Sequence, residues 1–242
     1  MEGLLIIGHR GAAGMAPENT LGSFRLAVEQ GSGAIELDVH FSADGRMIVC
    51  HDATIDRTTD RSGAIRELAS DQLRAADAGS WYGTERAFAG ERLPFLEEVF
   101  AAVPPEVAVN VEIKSSEPAH LRTFAAYLAA ESLFDRVFVS SFHKEILVAL
   151  KEVEPRVQIG YLYDQVDELP SVIAASFGAE LYSLHPHHRF VNAAYMAQAK
   201  ELGLQVYPWT VNGAERMQEL IDVGVSGIIT DFPGRLHELL GR

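Results

Sequence analysis

Four short stretches of this chain carry side chains that could do chemistry. In Gly8-His9-Arg10-Gly11 an imidazole and a guanidinium stand between two glycines, a pattern that suits close approach of backbone to a ligand and equally suits a plain turn. Glu36-Leu37-Asp38 sets two carboxylates two residues apart. On an extended strand both lie on one face. Two carboxylates aimed into a barrel mouth repel each other unless a cation, a proton or an arginine lies between them, and oxygen-only ligands favour Mg²⁺ or Ca²⁺. Cys50-His51-Asp52 adds a second imidazole, with Asp52 read as a cap on the following turn. Asn110-Val111-Glu112-Ile113-Lys114 repeats the alternation, which puts Asn110, Glu112 and Lys114 on one face. Glu112 is then a third carboxylate, and an interior lysine must be paired or used.

These stretches need elements to hold them. Continuous apolar runs predict eight strands: Leu4–Gly8, Ala34–His40, Val107–Ile113, Val137–Ser141, Gln158–Tyr163, Glu180–Leu184, Gln205–Trp209 and Gly227–Thr230. Helix patterns alternate with them: Thr20–Gln30, Phe95–Val103, Pro118–Ser132, Lys144–Val153, Val166–Phe177, Asn192–Leu202, Ala214–Val223 and Gly234–Leu240. Asn19 is placed to cap the first, and Gly31 to stop it. Eight-fold strand–helix alternation predicts an α/β fold, a (β/α)₈ TIM barrel, whose active site lies at the C-terminal ends of the strands. All four stretches fall there. The rhythm breaks at about residues 44–93. A short strand Met47–Cys50 and a helical piece near Ser70–Ala76 read as a small insertion over the barrel mouth, since a structureless loop of that length is unusual. Residues 1–242 then form a single domain.

The bulk properties narrow the function. A formal net charge of −14 argues against nucleic acid as a partner, because a polyanion needs a basic face. An acidic protein with an anionic substrate must make its site locally positive. Hydrophobic residues make up 48% of the chain, with a single cysteine, Cys50. That suits a reducing compartment. No stretch approaches a membrane span and the first residues show no signal-peptide pattern, so a cytoplasmic location is expected.

The chain resembles the glycerophosphodiester phosphodiesterases, a (β/α)₈ family. The matching motifs are His9-Arg10-Gly11, Pro17-Glu18-Asn19-Thr20, Glu36-Leu37-Asp38-Val39, His51-Asp52, Leu93-Pro94-Phe95-Leu96-Glu97-Glu98, Glu112-Ile113-Lys114, Ser140-Ser141-Phe142, Trp209-Thr210-Val211-Asn212 and Thr230-Asp231-Phe232-Pro233. They span nearly the whole chain in family order. The resemblance implies metal-dependent hydrolysis of glycerophosphodiesters, such as glycerophosphocholine or glycerophosphoethanolamine, to sn-glycerol 3-phosphate and an alcohol. It implies His9 and His51 as the acid–base pair and Glu36, Asp38 and Glu112 as ligands of one divalent cation, Mg²⁺ or Ca²⁺, with Mn²⁺ a third candidate. Arg10, Lys114 and the aromatic Trp209 would bind substrate. In Ser183-Leu184-His185-Pro186-His187-His188, His185 is expected at the mouth as a further substrate contact and the other two histidines in a loop. Sequence leaves monomer and homodimer equally open.

Other readings lead elsewhere. A lysophospholipase D-type enzyme would want an apolar rim, for which Phe41, Trp81, Tyr82 and Phe88 are candidates unless they form the insertion's own core. A Schiff-base barrel enzyme could use Lys114, but it leaves the paired carboxylates and histidines without a role. A catalytically inert binding barrel should lack one of the key residues, and none is missing.

Overall fold

The computed structural model describes residues 3–83, 87–165 and 168–242. Its strands are β1 (Leu5–Gly8), β2 (Ala34–Phe41), β3 (Met47–Val49), β4 (Ala108–Ile113), β5 (Val137–Ser141), β6 (Gln158–Tyr163), β7 (Ser183–Pro186), β8 (Gln205–Val206) and β9 (Gly227–Thr230). Eight are parallel, in the order β8-β7-β6-β5-β4-β2-β1-β9, and β3 pairs antiparallel with β2. Backbone bonds join the two ends of that order. Ser226 N donates to Val206 O (3.1 Å), Ile229 N to Pro208 O (3.0 Å) and Val211 N to Ile229 O (3.0 Å). The result is the expected TIM barrel.

Strand alternation sorts the side chains. On β2, Ile35, Leu37 and Val39 pack outward against the helices, in one cluster with Phe24, Val109, Val111 and Ile113. Ile7, Ala34, Phe138, Tyr207 and Ile229 form a separate cluster inside the barrel. Glu36 and Asp38 continue the inner face toward the C-terminal end.

The helices are α1 (Leu21–Glu29), α2 (Ser70–Arg74), α3 (Leu96–Ala102), α4 (Pro118–Ala130), α5 (Lys144–Val153), α6 (Pro170–Phe177), α7 (Ala193–Glu201), α8 (Ala214–Asp222) and α9 (Pro233–Leu239). Among the described residues none is long and apolar enough to cross a membrane. Three predicted starts coincide, at Pro118, Lys144 and Ala214, three shift by one residue, at Leu96, Ala193 and Pro233, and two need comment. Thr20, not Asn19, caps α1, its hydroxyl accepting from Ser23 N. Asn19 adopts a left-handed backbone (φ 58°) and turns its amide to Asp38 Oδ2 at 2.8 Å. α6 begins at Pro170, and the predicted Val166 start lies outside the described residues.

β7 starts three residues and ends two residues later than expected. Gly160 of β6 faces it across the inner wall, where an added Cβ would strike Ser183 Oγ and His185 Nε2. That space draws His185 inside the barrel as a strand residue. β8 is shorter than Gln205–Trp209, because Pro208 has no N–H to continue the ladder.

The insertion has its own core of Ile48, Cys50, Ile55, Ile65, Leu73, Ala76, Ala78 and Leu93. It is stitched to the barrel through β3. Val39 pairs with Val49 on one side, and Val49 N donates to Pro94 O (2.9 Å) on the other. Tyr82 packs edge-on against both Trp81 and Phe88, and Phe41 stacks on His120. None of the four lines the cavity at the strand ends.

Candidate active site

A cavity of about 250 Å³ opens at the C-terminal ends of the strands, lined by His9, Arg10, Glu36, His51, Asn110, Glu112, Phe142, Leu162, Trp209 and Ile229. β1 ends in a tight turn. An added Cβ on Gly8 would stand 2.6 Å from Gly11 O, and Arg10 is held at φ 50°, a conformation costly without glycine. This turn aims the Arg10 N–H at Glu36 Oε2 (2.9 Å) and its guanidinium at Glu18 (2.9 Å) and Asp38 (3.5 Å).

The three carboxylates predicted from alternation converge. Glu36, Asp38 and Glu112 are buried, with one oxygen of each within 4.8 Å of the others. Their electrostatics are those of a crowded anionic nest. Burial, then the Asp38 charge, pushes Glu36 and Glu112 above the ordinary carboxyl range. Burial pulls Asp38 the same way, but Lys114 and Arg10 outweigh it and hold Asp38 well below that range. Lys114 Nζ lies 2.9 Å from Asp38 Oδ1 and also pairs with Glu112. The buried Asn110 Oδ1 beside them lacks a hydrogen-bond donor among the described residues. Three converging buried carboxylates beside an unpartnered amide oxygen fit a hard divalent cation, which takes oxygen ligands at roughly 2.0–2.6 Å.

Each histidine on the cavity is anchored at Nδ1 by a carboxylate. His9 Nδ1 lies 2.6 Å from Asp231 Oδ1, and His51 Nδ1 2.6 Å from Asp52 Oδ1. Nε2 of each ring makes no hydrogen bond among the described residues. The two are biased in opposite directions. For His9, burial disfavours the proton, yet Asp231 and Glu36 outweigh burial and raise the pKa above its ordinary value. For His51, burial wins with help from Arg10, despite Asp38 and Asp52, and the pKa falls. His40 Nε2 donates to the His51 carbonyl (3.1 Å), fixing the turn that carries it.

Phe142 and Trp209 meet edge-to-face at 5.3 Å and give the cavity an apolar wall with Leu162. The expectation for His185 is corrected. It is fully buried in the barrel interior, bonded to Ser183 Oγ (2.8 Å), and burial pushes its pKa down to about 3. Only its backbone reaches the site, accepting from Trp209 Nε1 (2.8 Å).

Sequence reasoning missed Asp231 as the partner of His9, and read Asp52 as a turn cap. The signal was present for the first. A closed barrel makes β9 the neighbour of β1, so Thr230-Asp231 must emerge beside Gly8-His9. Asn212 then completes the relay, donating to Asp231 Oδ2 (2.6 Å).

The sequence matches the Glycerophosphoryl diester phosphodiesterase family over residues 9–235. A glycerophosphodiester phosphodiesterase of Caldanaerobacter subterraneus subsp. tengcongensis is 37% identical over 242 residues, 98% of either chain. Two solved structures share the fold. One is a glycerophosphodiester phosphodiesterase from Agrobacterium tumefaciens (TM-score 0.86, 27% identity, 98% of this chain and 100% of that one). The other is an Oleispira antarctica phosphodiesterase in complex with the product sn-glycerol-3-phosphate (TM-score 0.85, 28% identity, 98% of this chain and 97% of that one). With whole-length matches and a paired-histidine, three-carboxylate site at the strand ends, this chain belongs to the glycerophosphoryl diester phosphodiesterase family.

Proposed function

We propose that this enzyme hydrolyses small glycerophosphodiesters, such as glycerophosphocholine and glycerophosphoethanolamine, to sn-glycerol 3-phosphate and an alcohol. One observation carries the reading. Two carboxylate-anchored histidines line a single cavity with Glu36 and Glu112, two of three converging buried carboxylates. The product complex of the Oleispira relative supports the same substrate class.

Glu36, Asp38 and Glu112 would hold one divalent cation, Mg²⁺ or Ca²⁺ with Mn²⁺ a third candidate. Bound there, it supplies Lewis-acid stabilisation of charge on the phosphoryl oxygens. The remaining work falls to the chain. Arg10 and Lys114 offset phosphate charge that an enzyme of net charge −14 must otherwise repel. Trp209, with Phe142, packs against substrate carbon. His51, biased neutral, takes the proton of the attacking hydroxyl at Nε2. As the bond from phosphorus to the leaving oxygen breaks, His9, biased protonated, delivers its proton to that oxygen. Asp52 and Asp231 keep each ring in the required tautomer. Water and the substrate's own glycerol hydroxyl both suit this arrangement as nucleophile, and trapping a cyclic phosphate tells them apart.

The cavity volume of about 250 Å³ suits a short polar diester. None of the aromatic residues considered as a rim for an acyl chain lines the cavity. The test is a phosphodiester panel with Mg²⁺, Ca²⁺, Mn²⁺ or EDTA. Metal-dependent release of sn-glycerol 3-phosphate from glycerophosphocholine is expected, with lysophosphatidylcholine turned over poorly. A preference for the lysolipid, or full activity in EDTA, overturns the reading.

A further inference from the structure

Arg57 lies outside the cavity, yet it joins both halves of the site. Its Nη1 donates to Glu18 Oε2 (2.8 Å) and its Nη2 to Glu18 Oε1 (2.8 Å), while Nε donates to Asp52 Oδ2 (2.7 Å) and Nη2 also reaches Asp52 Oδ1 (3.1 Å). One guanidinium thus engages both oxygens of two carboxylates. Each carboxylate has a second client. Glu18 Oε1 accepts from Arg10 Nη1 (2.9 Å), and Asp52 Oδ1 bonds His51 Nδ1 (2.6 Å). The path runs unbroken from Arg10 through Glu18, Arg57 and Asp52 to His51.

The sources of these residues matter. Arg10 and Glu18 belong to the barrel segment after β1, whereas His51, Asp52 and Arg57 belong to the insertion. The backbone carrying Arg57 is itself fixed. Ile55 is buried in the insertion core, Thr59 Oγ1 donates to Ile55 O (2.7 Å), and Asp60 N donates to Asp77 O (3.1 Å). We infer that Arg57 is a positioning residue that locks the insertion's base, His51, in register with the barrel's phosphate arginine, Arg10, through Asp52 and Glu18. The planar fork is essential, because an ammonium cannot span four oxygens in this geometry. The Arg57 side chain is 46% exposed, so its loss spares the core.

The inference rests on the roles proposed for His51 and Arg10, so the experiment includes a variant that tests one of them directly. Steady-state kinetics with glycerophosphocholine and Mg²⁺ are compared for wild type, R57M, R57K, D52N, the R57M/D52N pair and H51A, each checked by circular dichroism. R57M is expected to lose about 10–100-fold in kcat with the smaller change in KM, the range for a lost supporting contact or a displacement of about 1 Å. R57K should not rescue it, and R57M should add little to D52N, since both break one path. Turnover of R57M within about twofold of wild type, wild-type kcat in R57K, a loss confined to KM, or additive losses in the pair would each overturn the inference. If R57M does not fold, R57K decides alone by the same criterion. An active H51A defeats the proposed mechanism itself. An inactive H51A with an unimpaired R57M defeats only the role of Arg57.

Discussion

Asp231→Asn isolates the proton that His9 is proposed to deliver. Asp231 uses both oxygens as acceptors, one from His9 Nδ1 and one from Asn212 Nδ2, each at 2.6 Å. Asn212 cannot turn over to compensate, because its Oδ1 already accepts from Asp231 N (3.0 Å) and Thr230 Oγ1 (3.2 Å). The new amide has only one oxygen. Whichever way it is placed, one contact becomes donor against donor, and with Asn212 fixed the amide nitrogen faces His9. The protonated ring then loses a charge-assisted bond of about 1.5–3 kcal/mol. At about 1.4 kcal/mol per unit this lowers the His9 pKa by roughly 1–2 units. The sign follows directly. His9 sits above its ordinary value in the folded protein, so its proton is lost late as pH rises, and the substitution makes that loss early. The alkaline limb of kcat/KM should move down by roughly 1–2 pH units, with a fall of about 10–100-fold on the alkaline side of the wild-type limb. The assay is a pH profile on glycerophosphocholine beside one on a diester with a p-nitrophenolate leaving group, which departs without a proton. The loss should shrink sharply on the activated ester. An unmoved alkaline limb, or equal losses on both substrates, refutes the assignment of His9 as the acid.

Other perturbations have equally definite outcomes. H51A should lower kcat on both esters by about 10²–10⁴-fold, since the nucleophile needs a base whatever the leaving group, and selective loss on the natural ester counts against this. E112Q should melt higher than wild type in EDTA, because one of three mutually repelling buried carboxylates is neutralised, and should show a smaller rise in Tm on adding Mg²⁺ or Ca²⁺, read by calorimetry. G8A should lose activity more than about tenfold, because an added Cβ stands 2.6 Å from Gly11 O and 2.8 Å from Ala27 Cβ and must displace the turn carrying His9 and Arg10 by a distance that orientation-sensitive catalysis does not tolerate. F24A, at a fully buried position between α1 and the strands, should cost about 3–5 kcal/mol in urea unfolding.

The barrel and the convergence of the three carboxylates were legible because strand periodicity is local. Glu36-Leu37-Asp38 and Asn110-Val111-Glu112 state in their own spacing which side chains share a face. What was not legible depends on contacts between distant segments. His9 and Asp231 are 222 residues apart, and only the closure of β9 on β1 joins them. Arg57 and Glu18 meet because the insertion folds back over the first turn. His185 was misplaced for a related reason. Its depth is set by the space that Gly160 leaves on the next strand, which the sequence around residue 185 does not record. The cap of α1 shows the same competition at short range, with Asn19 drawn off by Asp38 and Thr20 left to serve.

The β2–β3 hairpin governs how the family can vary in length. Val39 pairs with Val49, His40 with Ile48 and Phe41 with Met47, and Cys50 N donates to Asp38 O (3.0 Å). The spacing between the Asp38 carboxylate and the second imidazole is therefore a ladder register and not a loop length. Residues can be added to or removed from the Ser42–Arg46 turn without moving His51 relative to Asp38. One residue gained or lost between Val49 and His51 would present Cys50 or Asp52 to the cavity instead. Indels across homologues should accumulate at the hairpin tip and beyond Arg57, leaving Met47–Asp52 at constant length.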